Sequence, residues 1–358
     1  MSNDGQTVTH YTMNNLETLG LLKMDILGLR NLTVIREACD YIQIDHPDFD
    51  IDLIPIDDKK TYDLFCTGES IGIFQCESPG MRRLIVDLKP KCFEDVIALL
   101  ALYRPGPLGS GMVSDFISNK SGKTKVVYDL PILEPILKDT YGMIVYQEQV
   151  MQIASAVGGF TLGESDMLRR AMGKKKKAEL DKQKERFING ALKNGIAKDV
   201  ANFVFTKIEP FAQYGFNKSH AAAYALIAFQ TAFLKTYYKE DFIAATMSTE
   251  LTNTSKLREF VEELKRLKVE IIRPSINECF AEFRAISGKI YYGLGAIKNV
   301  GFEAISNILK IREKNGKFKS LVDFINRVDA KDVNKLQLEG LTKAGAFDEF
   351  DKDRNKIF

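Results

Sequence analysis

Apolar and polar side chains alternate in the stretch 21–29, with glycines at positions 20 and 28. Successive side chains of a β-strand point to opposite faces. The apolar residues at the even positions would therefore lie on one face, and Lys23 and Asp25 on the other. Because an ionised group is costly to bury unless it is paired or bound to a metal, the pattern predicts a short strand that carries either a structural ion pair or part of a functional site.

After Gly28 the period of the pattern becomes helical. Apolar residues recur at three- and four-residue steps over 32–42, which predicts a helix. A second, more apolar helix is predicted over 93–103. The Arg-Pro-Gly-Pro run at 104–107 ends it, because proline cannot continue a helix.

The second half of the chain is predicted to be almost entirely helical over 146–272, with breaks at glycines. Short strands are predicted at 71–75 and 290–294, where apolar and aromatic residues form brief runs. The chain is therefore expected to be mainly α with small β elements.

Charge and cysteine content narrow the function classes. The 358 residues carry a net charge of +2, so a polyanionic partner would be met by local basic patches and not by a global field. The five cysteines form no Cys-x-x-Cys pair and the chain has three histidines, which argues against a zinc site or a disulfide scaffold and fits a reducing cytosol. No run of about 18 apolar residues occurs, so no membrane span is predicted.

A basic stretch follows one of the apolar helical patterns. Arg169 and Arg170 end the helix, and four lysines, 174–177, follow Gly173. Arginine forks onto phosphate oxygens, and consecutive lysines form a cationic strip. The alternative is a solvated charged face. We favour a phosphate-binding role because the arginines lie within the helical pattern, which fixes their position.

The stretch 214–224 places aromatic, amide, lysine, hydroxyl and imidazole groups within one turn before a helix of small residues. Lys218, Ser219, His220 and Tyr224 could meet the phosphate, sugar and base of a nucleotide, and the alanines between them would let a flat ligand approach closely. The alternative is an ordinary helix capped by Ser219, with His220 in the core.

A tight hairpin is predicted at 296–301, between two apolar helical stretches. Its glycine, Gly301, frees the backbone, and Lys298 and Asn299 lie beside it. This arrangement resembles the helix-hairpin-helix motif, whose amides and following helix N-terminus hold a DNA phosphate without reading sequence. The stretch 341–347 resembles a degenerate second copy. An ordinary helical hairpin with a glycine turn is the alternative.

Six motifs occur in the order in which they occur in the alpha subunit of bacterial DNA polymerase III, the replicative family C polymerase. The chain resembles this family from about Val8 to Phe350. Six motifs in register are far more specific than any one of them. They are Lys-Met-Asp-Ile-Leu-Gly-Leu at 23–29, Gly-Ile-Phe-Gln at 72–75 with Glu-Ser at 77–78 and Gly-Met at 80–81, Arg-Pro-Gly-Pro at 104–107, Tyr-Gln-Glu-Gln at 146–149, the basic stretch at 168–176, and the stretch 215–224.

The resemblance implies a domain organisation. Residues 1–32 would be the C-terminal end of the palm, 33–270 the fingers, and 271–358 a helix-hairpin-helix region leading to the clamp-binding part. The implied fold is a multi-helical fingers domain with a remnant palm strand before it and a C-terminal helix-hairpin-helix subdomain.

The resemblance also implies the chemistry of a polymerase active site. Asp25 matches the third catalytic aspartate, a metal ligand of the Mg²⁺ ions that activate the primer 3′-hydroxyl and hold the triphosphate in two-metal catalysis. Lys23 matches a lysine near the phosphates of the incoming nucleotide. The residues implied to bind that nucleotide are Arg169, Arg170, Lys218, Ser219, His220 and Tyr224. The residues implied to bind DNA are Lys174, Lys175, Lys176, Lys177, Lys298, Asn299 and Gly301.

The implied function is template-directed 5′–3′ DNA synthesis in the bacterial cytoplasm. Its implied partners are template-primer DNA, dNTPs, other replicase subunits and the sliding clamp, with no membrane partner. The alternative is a non-enzymatic helical DNA-binding module built on the hairpin near Lys298 and the lysine strip.

One departure from the family pattern bears on activity. The other two catalytic aspartates of the family form an Asp-x-Asp pair before the Asp25 strand, and that pair does not occur among residues 1–24. Asp48 and Asp50 have the right spacing but follow Asp25, where the family has a linker. We therefore expect the chain to be a fragment that does not polymerise by itself.

Overall fold

The computed structural model describes residues 5, 7–22, 24, 28–173, 177–329, 331 and 333–357. Within these ranges the protein is mainly helical with one small sheet, so the mainly α fold with small β elements predicted from the sequence is confirmed. The helices are α1 (Met13–Thr18), α2 (Arg30–Asp45), α3 (Lys59–Thr67), α4 (Pro79–Leu88), α5 (Phe93–Leu102), α6 (Pro105–Gly109), α7 (Met112–Lys120), α8 (Glu134–Leu137), α9 (Gln147–Gly158), α10 (Leu162–Gly173), α11 (Lys177–Lys193), α12 (Lys198–Tyr214), α13 (Lys218–Tyr237), α14 (Lys239–Thr249), α15 (Thr254–Arg266), α16 (Phe302–Asn315), α17 (Leu321–Arg327), α18 (Lys335–Ala344) and α19 (Arg354–Ile357).

The sheet has three short strands, β1 (Glu270–Ile272), β2 (Arg284–Ile286) and β3 (Lys289–Tyr291), in the order β1-β3-β2. The central strand β3 pairs with β1 in parallel and with β2 in antiparallel orientation. The strand predicted at 290–294 is therefore present, but it ends at Tyr291, and Leu294–Ala296 form a turn of 3₁₀-helix.

The strand predicted at 71–75 is wrong. These residues form turns and a bend, in which Gly72 and Gln75 have φ angles of +82° and +56°. Positive φ is the left-handed region, which interrupts a strand and favours glycine. The backbone N–H of Gly72 donates to a carboxylate oxygen of Glu77 at 2.7 Å.

The strand predicted at 21–29 falls partly on residues that the structure does not describe. Lys23, Asp25, Ile26 and Leu27 lie outside the described residues. Leu21, Leu22, Met24, Gly28 and Leu29 are described and belong to no regular element. The strand, and the face shared by Lys23 and Asp25, therefore stay predictions.

The longest helix, α13, runs through the first hydrophobic core. It packs against α5 and α3, and four of its alanines, at 221, 225, 228 and 232, are buried there. The separation of packed helices depends on the side chains at their contact, so these alanines allow α5 to approach α13 closely. A helix of small residues was predicted after residue 214, and the structure shows that its alanines pack against the protein itself.

A second core joins α9, α10, α11 and α12. Its centre contains Phe187 of α11 and Phe205 of α12, whose ring centroids are 5.4 Å apart. Gly190 of α11 lies directly against the carbonyl oxygen of Gly158, at the end of α9, in a contact that leaves no room for a side chain. This core fixes α10, which carries the two arginines, relative to α9.

A buried ion pair connects α13 to α15. Nζ of Lys235 lies 2.7 Å from a carboxylate oxygen of Glu263, and the two side chains are 1% and 3% exposed. Lys235 also donates to the backbone carbonyls of Glu69 and Ile71 at 2.8 and 2.7 Å. Arg266 also donates to the carboxylate of Glu263, at 2.8 Å. The buried charges are therefore compensated by several partners, as such charges must be.

The C-terminal helices α16, α17 and α18 form a separate core with the segment after β1. Phe324 and Phe347 are fully buried in it, with ring centroids 5.0 Å apart. Arg312 of α16 donates to the carbonyl oxygens of Ile276 and Cys279 at 2.9 and 2.8 Å. None of the helices in the described ranges is long and apolar enough to cross a membrane.

Candidate functional site

The start of α9 is fixed by hydrogen bonds from one buried side chain. Gln149 is buried, and its side-chain oxygen accepts from the backbone N–H groups of Val145 and Tyr146 at 2.8 and 3.0 Å. Its side-chain nitrogen donates to the hydroxyl of Thr140 at 2.7 Å. A third-position glutamine that reaches back in this way satisfies donors that a helix start leaves free.

Asp166 holds both arginines of α10. Its Oδ1 accepts from Nη2 and Nε of Arg169 at 2.7 and 3.0 Å, and its Oδ2 pairs with Nε of Arg170 at 2.8 Å. Spacings of three and four residues make these side chains neighbours on a helix surface. Hydrogen bonds from Arg169, together with the charges of both arginines, hold the pKa of Asp166 below its ordinary value. The carboxylate is therefore ionised at neutral pH.

The two arginines differ in how tightly they are held. Nη1 of Arg169 donates to the side-chain oxygen of Gln147 at 3.3 Å, so each of its three guanidinium nitrogens has a partner. Arg169 is 29% exposed, whereas Arg170 is 67% exposed. Arg169 is thus fixed between α9 and α10, and Arg170 extends into solvent beside it.

The start of α13 is capped by Asn217, whose side-chain oxygen accepts from the backbone N–H of His220 at 2.8 Å. The alternative prediction of Ser219 as the cap is therefore wrong, because Ser219 already lies within the helix. Ser219 and His220 are exposed, and Lys218 is half-buried with Nζ 5.5 Å from the centre of the Tyr146 ring. His220 is consequently not a core residue.

The segment before α13 is joined to the start of α9. The backbone N–H of Gln147 donates to the carbonyl of Phe216 at 2.9 Å. A carboxylate oxygen of Glu148 accepts from the backbone N–H of Lys218 at 2.9 Å. A Cβ at Gly215 would lie 2.5 Å from the carbonyl oxygen of Phe211 in α12 and 3.1 Å from the backbone nitrogen of Gln147 in α9, so glycine is needed where the chain passes these two helices.

A row of rings, here called the α13 strip, begins just before α13 and continues along its first turns. It consists of Phe216, His220 and Tyr224, with ring centroids 5.5 Å apart for the first pair and 4.3 Å for the second. The guanidinium of Arg104 lies 4.4 Å from the centre of the Phe216 ring at one end. The ring of Phe74 lies 5.3 Å from that of Tyr224 at the other. The strip therefore presents the exposed His220 ring between two supported aromatic rings.

The sequence-predicted nucleotide-binding residues thus fall into two groups that meet at the start of α9. Arg169 bonds Gln147, and Arg170 lies beside Arg169 on the shared Asp166. The first residue of α13, Lys218, bonds Glu148. Lys23, Asp25 and the lysines 174–176 lie outside the described residues, and α11 begins at Lys177.

The predicted hairpin near Lys298 has an exposed tip and an anchored base. Lys298, Asn299 and Gly301 are exposed, with φ of +69° at Asn299 and +81° at Gly301, whereas Val300 is 1% exposed. The side chain of Gln337 in α18 donates to the carbonyl of Val300 at 2.9 Å. The hairpin is thus held by α18 from behind while its polar residues face solvent.

The predicted second copy at 341–347 has a different local structure. It begins inside α18, whose C-terminal cap is Gly345 in the left-handed conformation. The carbonyl of Ala346 accepts from the backbone N–H of Ile276 at 2.8 Å, and Ala346 and Phe347 are buried. This turn is therefore a packing element of the C-terminal core.

A cavity of about 460 Å³ opens between α7 and α12, lined in part by Asp115, Tyr128 and Phe211, and none of the predicted nucleotide-binding residues lines it. No group of three or more His, Cys, Asp or Glu residues in the described part of the chain is arranged to hold a metal ion.

Comparison with known proteins identifies the family. Residues 31–195 match the sequence model of the bacterial DNA polymerase III alpha subunit finger domain, and residues 268–357 match that of a helix-hairpin-helix motif. DNA polymerase III subunit alpha of Borreliella burgdorferi is 48% identical over 99% of this chain, that of Pseudomonas aeruginosa 49% over 96%, and that of Escherichia coli 47% over 95%. The chain belongs to the bacterial DNA polymerase III alpha subunit family.

The chain spans about 30% of the length of the curated alpha subunits it matches. The finger-domain match includes α9, α10 and both arginines, and the helix-hairpin-helix match includes Lys298, Asn299 and Gly301. His220 and Tyr224 lie between the two matched segments. The domain boundaries 1–32, 33–270 and 271–358 stay predictions.

Sequence reasoning did not assign a site role to Asp166, Gln147, Glu148 or Arg104. Asp166 could have been found, because an acidic residue three and four positions before two arginines is a recognisable helix pairing. Gln147 and Glu148 belong to the Tyr-Gln-Glu-Gln motif at 146–149, which by itself indicates no partner for either side chain. Their contacts with Arg169 and Lys218 depend on helix packing, which spacing along the chain does not reveal.

Proposed function

We propose that this chain forms the fingers and the adjoining palm end of a replicative bacterial DNA polymerase, where it binds the incoming dNTP and template-primer DNA during template-directed 5′–3′ synthesis. The observation that carries the proposal is the meeting of two groups at the start of α9. Two arginine side chains come from α10, and exposed aromatic and polar side chains come from α13.

The arrangement suits a nucleoside triphosphate, with the arginines of α10 at its phosphates and the start of α13 at its sugar. Arg170 is charged and exposed beside the fixed Arg169, so it can fork onto phosphate oxygens. Such cations stabilise the negative charge that builds on the transferring phosphoryl group and the departing pyrophosphate. Lys218 and Ser219 lie at the start of α13, and the exposed His220 ring of the α13 strip faces the place we assign to the sugar, with Tyr224 behind it.

The chemical step in this proposal joins the primer 3′-oxygen to the α-phosphorus of the dNTP and releases pyrophosphate. Mg²⁺, held in part by Asp25 with Lys23 near the phosphates, would activate the 3′-hydroxyl and the triphosphate. Asp25 and Lys23 lie outside the described residues, so we assign the metal no geometry. The described residues bind and orient the nucleotide.

The DNA-binding part of the proposal rests on the hairpin and the lysine strip. Lys298, Asn299 and Gly301 face solvent at a tip that α18 supports, which suits a backbone phosphate. Lysines 174–177 would add sequence-independent attraction to the duplex. The sliding clamp and other replicase subunits are partners of the full-length protein in this proposal.

A primer-extension assay tests the proposed function. A full-length alpha subunit that contains this sequence should extend a primer on a template, and Asp25→Asn should abolish the extension. This chain alone should not incorporate nucleotides, because no Asp-x-Asp pair occurs among its residues 1–24. Incorporation by the chain alone that Asp25→Asn abolishes, or a fully active full-length Asp25→Asn variant, would contradict the proposal.

The second candidate function is a non-enzymatic helical DNA-binding module. The helix-hairpin-helix match and the exposed tip at Lys298 favour it. Under this function Arg169 and Arg170 would bind phosphates of the DNA backbone. Their replacement would reduce the slope of log affinity against log salt concentration by about one unit per lost contact.

A further inference from the structure

We infer that Gln147 and Glu148, the first two residues of α9, are positioning residues that set the spacing between the arginines of α10 and the start of α13. They would thereby align the triphosphate and the sugar of one bound nucleotide. The inference rests on the proposed function, and it names residues that act through Arg169 and Lys218 without contacting the nucleotide.

Gln147 touches both sides of the site at once. Its side-chain oxygen accepts from Nη1 of Arg169 at 3.3 Å, and its backbone N–H donates to the carbonyl of Phe216 at 2.9 Å. A neutral amide oxygen orients the guanidinium without cancelling its charge. Asp166 on the same arginine takes Nε and Nη2. Gln147 is therefore the contact that relates Arg169 to α13.

Glu148 holds the first residue of α13. Its carboxylate accepts from the backbone N–H of Lys218 at 2.9 Å, while Asn217 takes the N–H of His220 at 2.8 Å. The first N–H groups of a helix have no partner within the helix, and the helix dipole favours a negative charge there. This contact fixes the start of α13 against α9, and with it the direction of the α13 strip.

The start of α9 is itself rigid enough to act as a reference point. The buried Gln149 satisfies the backbone N–H groups of Val145 and Tyr146, and Gly215 packs directly against this turn. A small displacement of a group that orients a substrate can cost a large factor in rate. Loss of either contact should therefore weaken nucleotide use while duplex binding is retained.

Steady-state kinetics on the full-length alpha subunit containing this sequence test the inference. Gln147→Met removes the acceptor with little change in volume and should raise the KM for dNTP about tenfold, the effect of one lost hydrogen bond to a charged group. Gln152→Met, an exposed position on the same helix, is the matched control and should leave KM unchanged. Glu148→Met should also raise KM, and Glu148→Gln, which keeps an acceptor for Lys218, should restore most of the loss.

The controls separate a positioning role from a structural one. The melting temperature and the duplex affinity of Gln147→Met should match those of Gln152→Met. Equal losses of duplex binding and nucleotide use, or an unchanged KM for dNTP, would overturn the inference. If Arg169→Ala/Arg170→Ala raises the KM while Gln147→Met does not, only the inference fails. If the double arginine variant also leaves the KM unchanged, the proposed function fails as well.

Discussion

Asp166 accepts two hydrogen bonds from Arg169, through Nη2 at 2.7 Å and Nε at 3.0 Å. The contact is an intrahelical pair at a spacing of three residues, and it keeps the arginine extended toward α9. The Asp166 side chain, which orients Arg169, is 32% exposed. The charge state of Asp166 can therefore be followed directly.

The titration of Asp166 should depend on Arg169. Because hydrogen bonds from Arg169 lower the pKa of Asp166, the carboxylate should titrate below its ordinary value of 3.8 and stay ionised as pH falls toward that value. Replacing Arg169 with alanine should raise the midpoint toward 3.8. Carboxyl ¹³C NMR of Asp166 measures it, and Arg83→Ala, at an exposed position on α4, is the control. An unchanged midpoint in Arg169→Ala would show that the contact is absent in solution.

Breaking the buried Lys235–Glu263 pair should strongly destabilise the protein. Lys235→Met leaves a buried carboxylate with Arg266 as its remaining charged partner, and it should lower the free energy of unfolding by about 3 kcal/mol. Lys265→Met, at a lysine that is 67% exposed on α15, should change it by less than about 0.5 kcal/mol. Urea unfolding measures both. A Lys235→Met variant as stable as Lys265→Met would contradict the burial of this pair.

The same pair predicts a loss of stability in acid. Burial raises the pKa of Glu263, but hydrogen bonds from Arg266 and Lys235 outweigh it and bring the pKa below the ordinary value of 4.5. A carboxyl whose folded pKa is lowered contributes stability above its unfolded pKa, and the contribution is lost as pH falls through the folded pKa. The free energy of unfolding should therefore fall below pH 4.5 by a larger amount in the wild type than in Glu263→Gln. Equal pH profiles for the two proteins would be the contrary result.

Gly215 should be needed for nucleotide use because it lets the segment before α13 approach α9. A Cβ at this position would meet the carbonyl oxygen of Phe211 at 2.5 Å and the backbone nitrogen of Gln147 at 3.1 Å. Gly215→Ala should therefore separate the two segments and raise the KM for dNTP in the full-length subunit. Gly163→Ala, where a Cβ meets nothing within 4 Å, should be neutral or slightly stabilising. Equal kinetics for the two variants would show that the close approach is not required.

Local patterns predicted the helices well and the contacts between them poorly. The apolar spacing over 32–42 and 93–103 corresponds to α2 and α5, because buried faces recur with the helical period. The apolar run at 71–75 is equally typical of a strand, but its positive φ angles and the bond to Glu77 produce turns. Period alone does not distinguish a buried turn from a buried strand.

The same limit applies to the candidate site. The residue types around Arg169 and His220 indicated phosphate and nucleotide chemistry, because their side chains carry the necessary groups. That the two stretches meet at Gln147 and Glu148 depends on the packing of α10 against α9 and on hydrogen bonds to the start of α13, 70 residues farther along the chain. The start of α13 was also not fixed by residue type, because its N-cap is Asn217, two residues before Ser219.

The most direct measurement of the central claim is the response of two affinities to one double variant. In a full-length alpha subunit containing this sequence, Arg169→Ala/Arg170→Ala should weaken binding of the incoming dNTP by at least about tenfold, since two charge-assisted contacts are lost. Its affinity for template-primer DNA should stay within about twofold of wild type at each salt concentration, because the predicted DNA contacts lie elsewhere. A uniform loss of duplex affinity across sequences, with unchanged dNTP binding, would contradict the account.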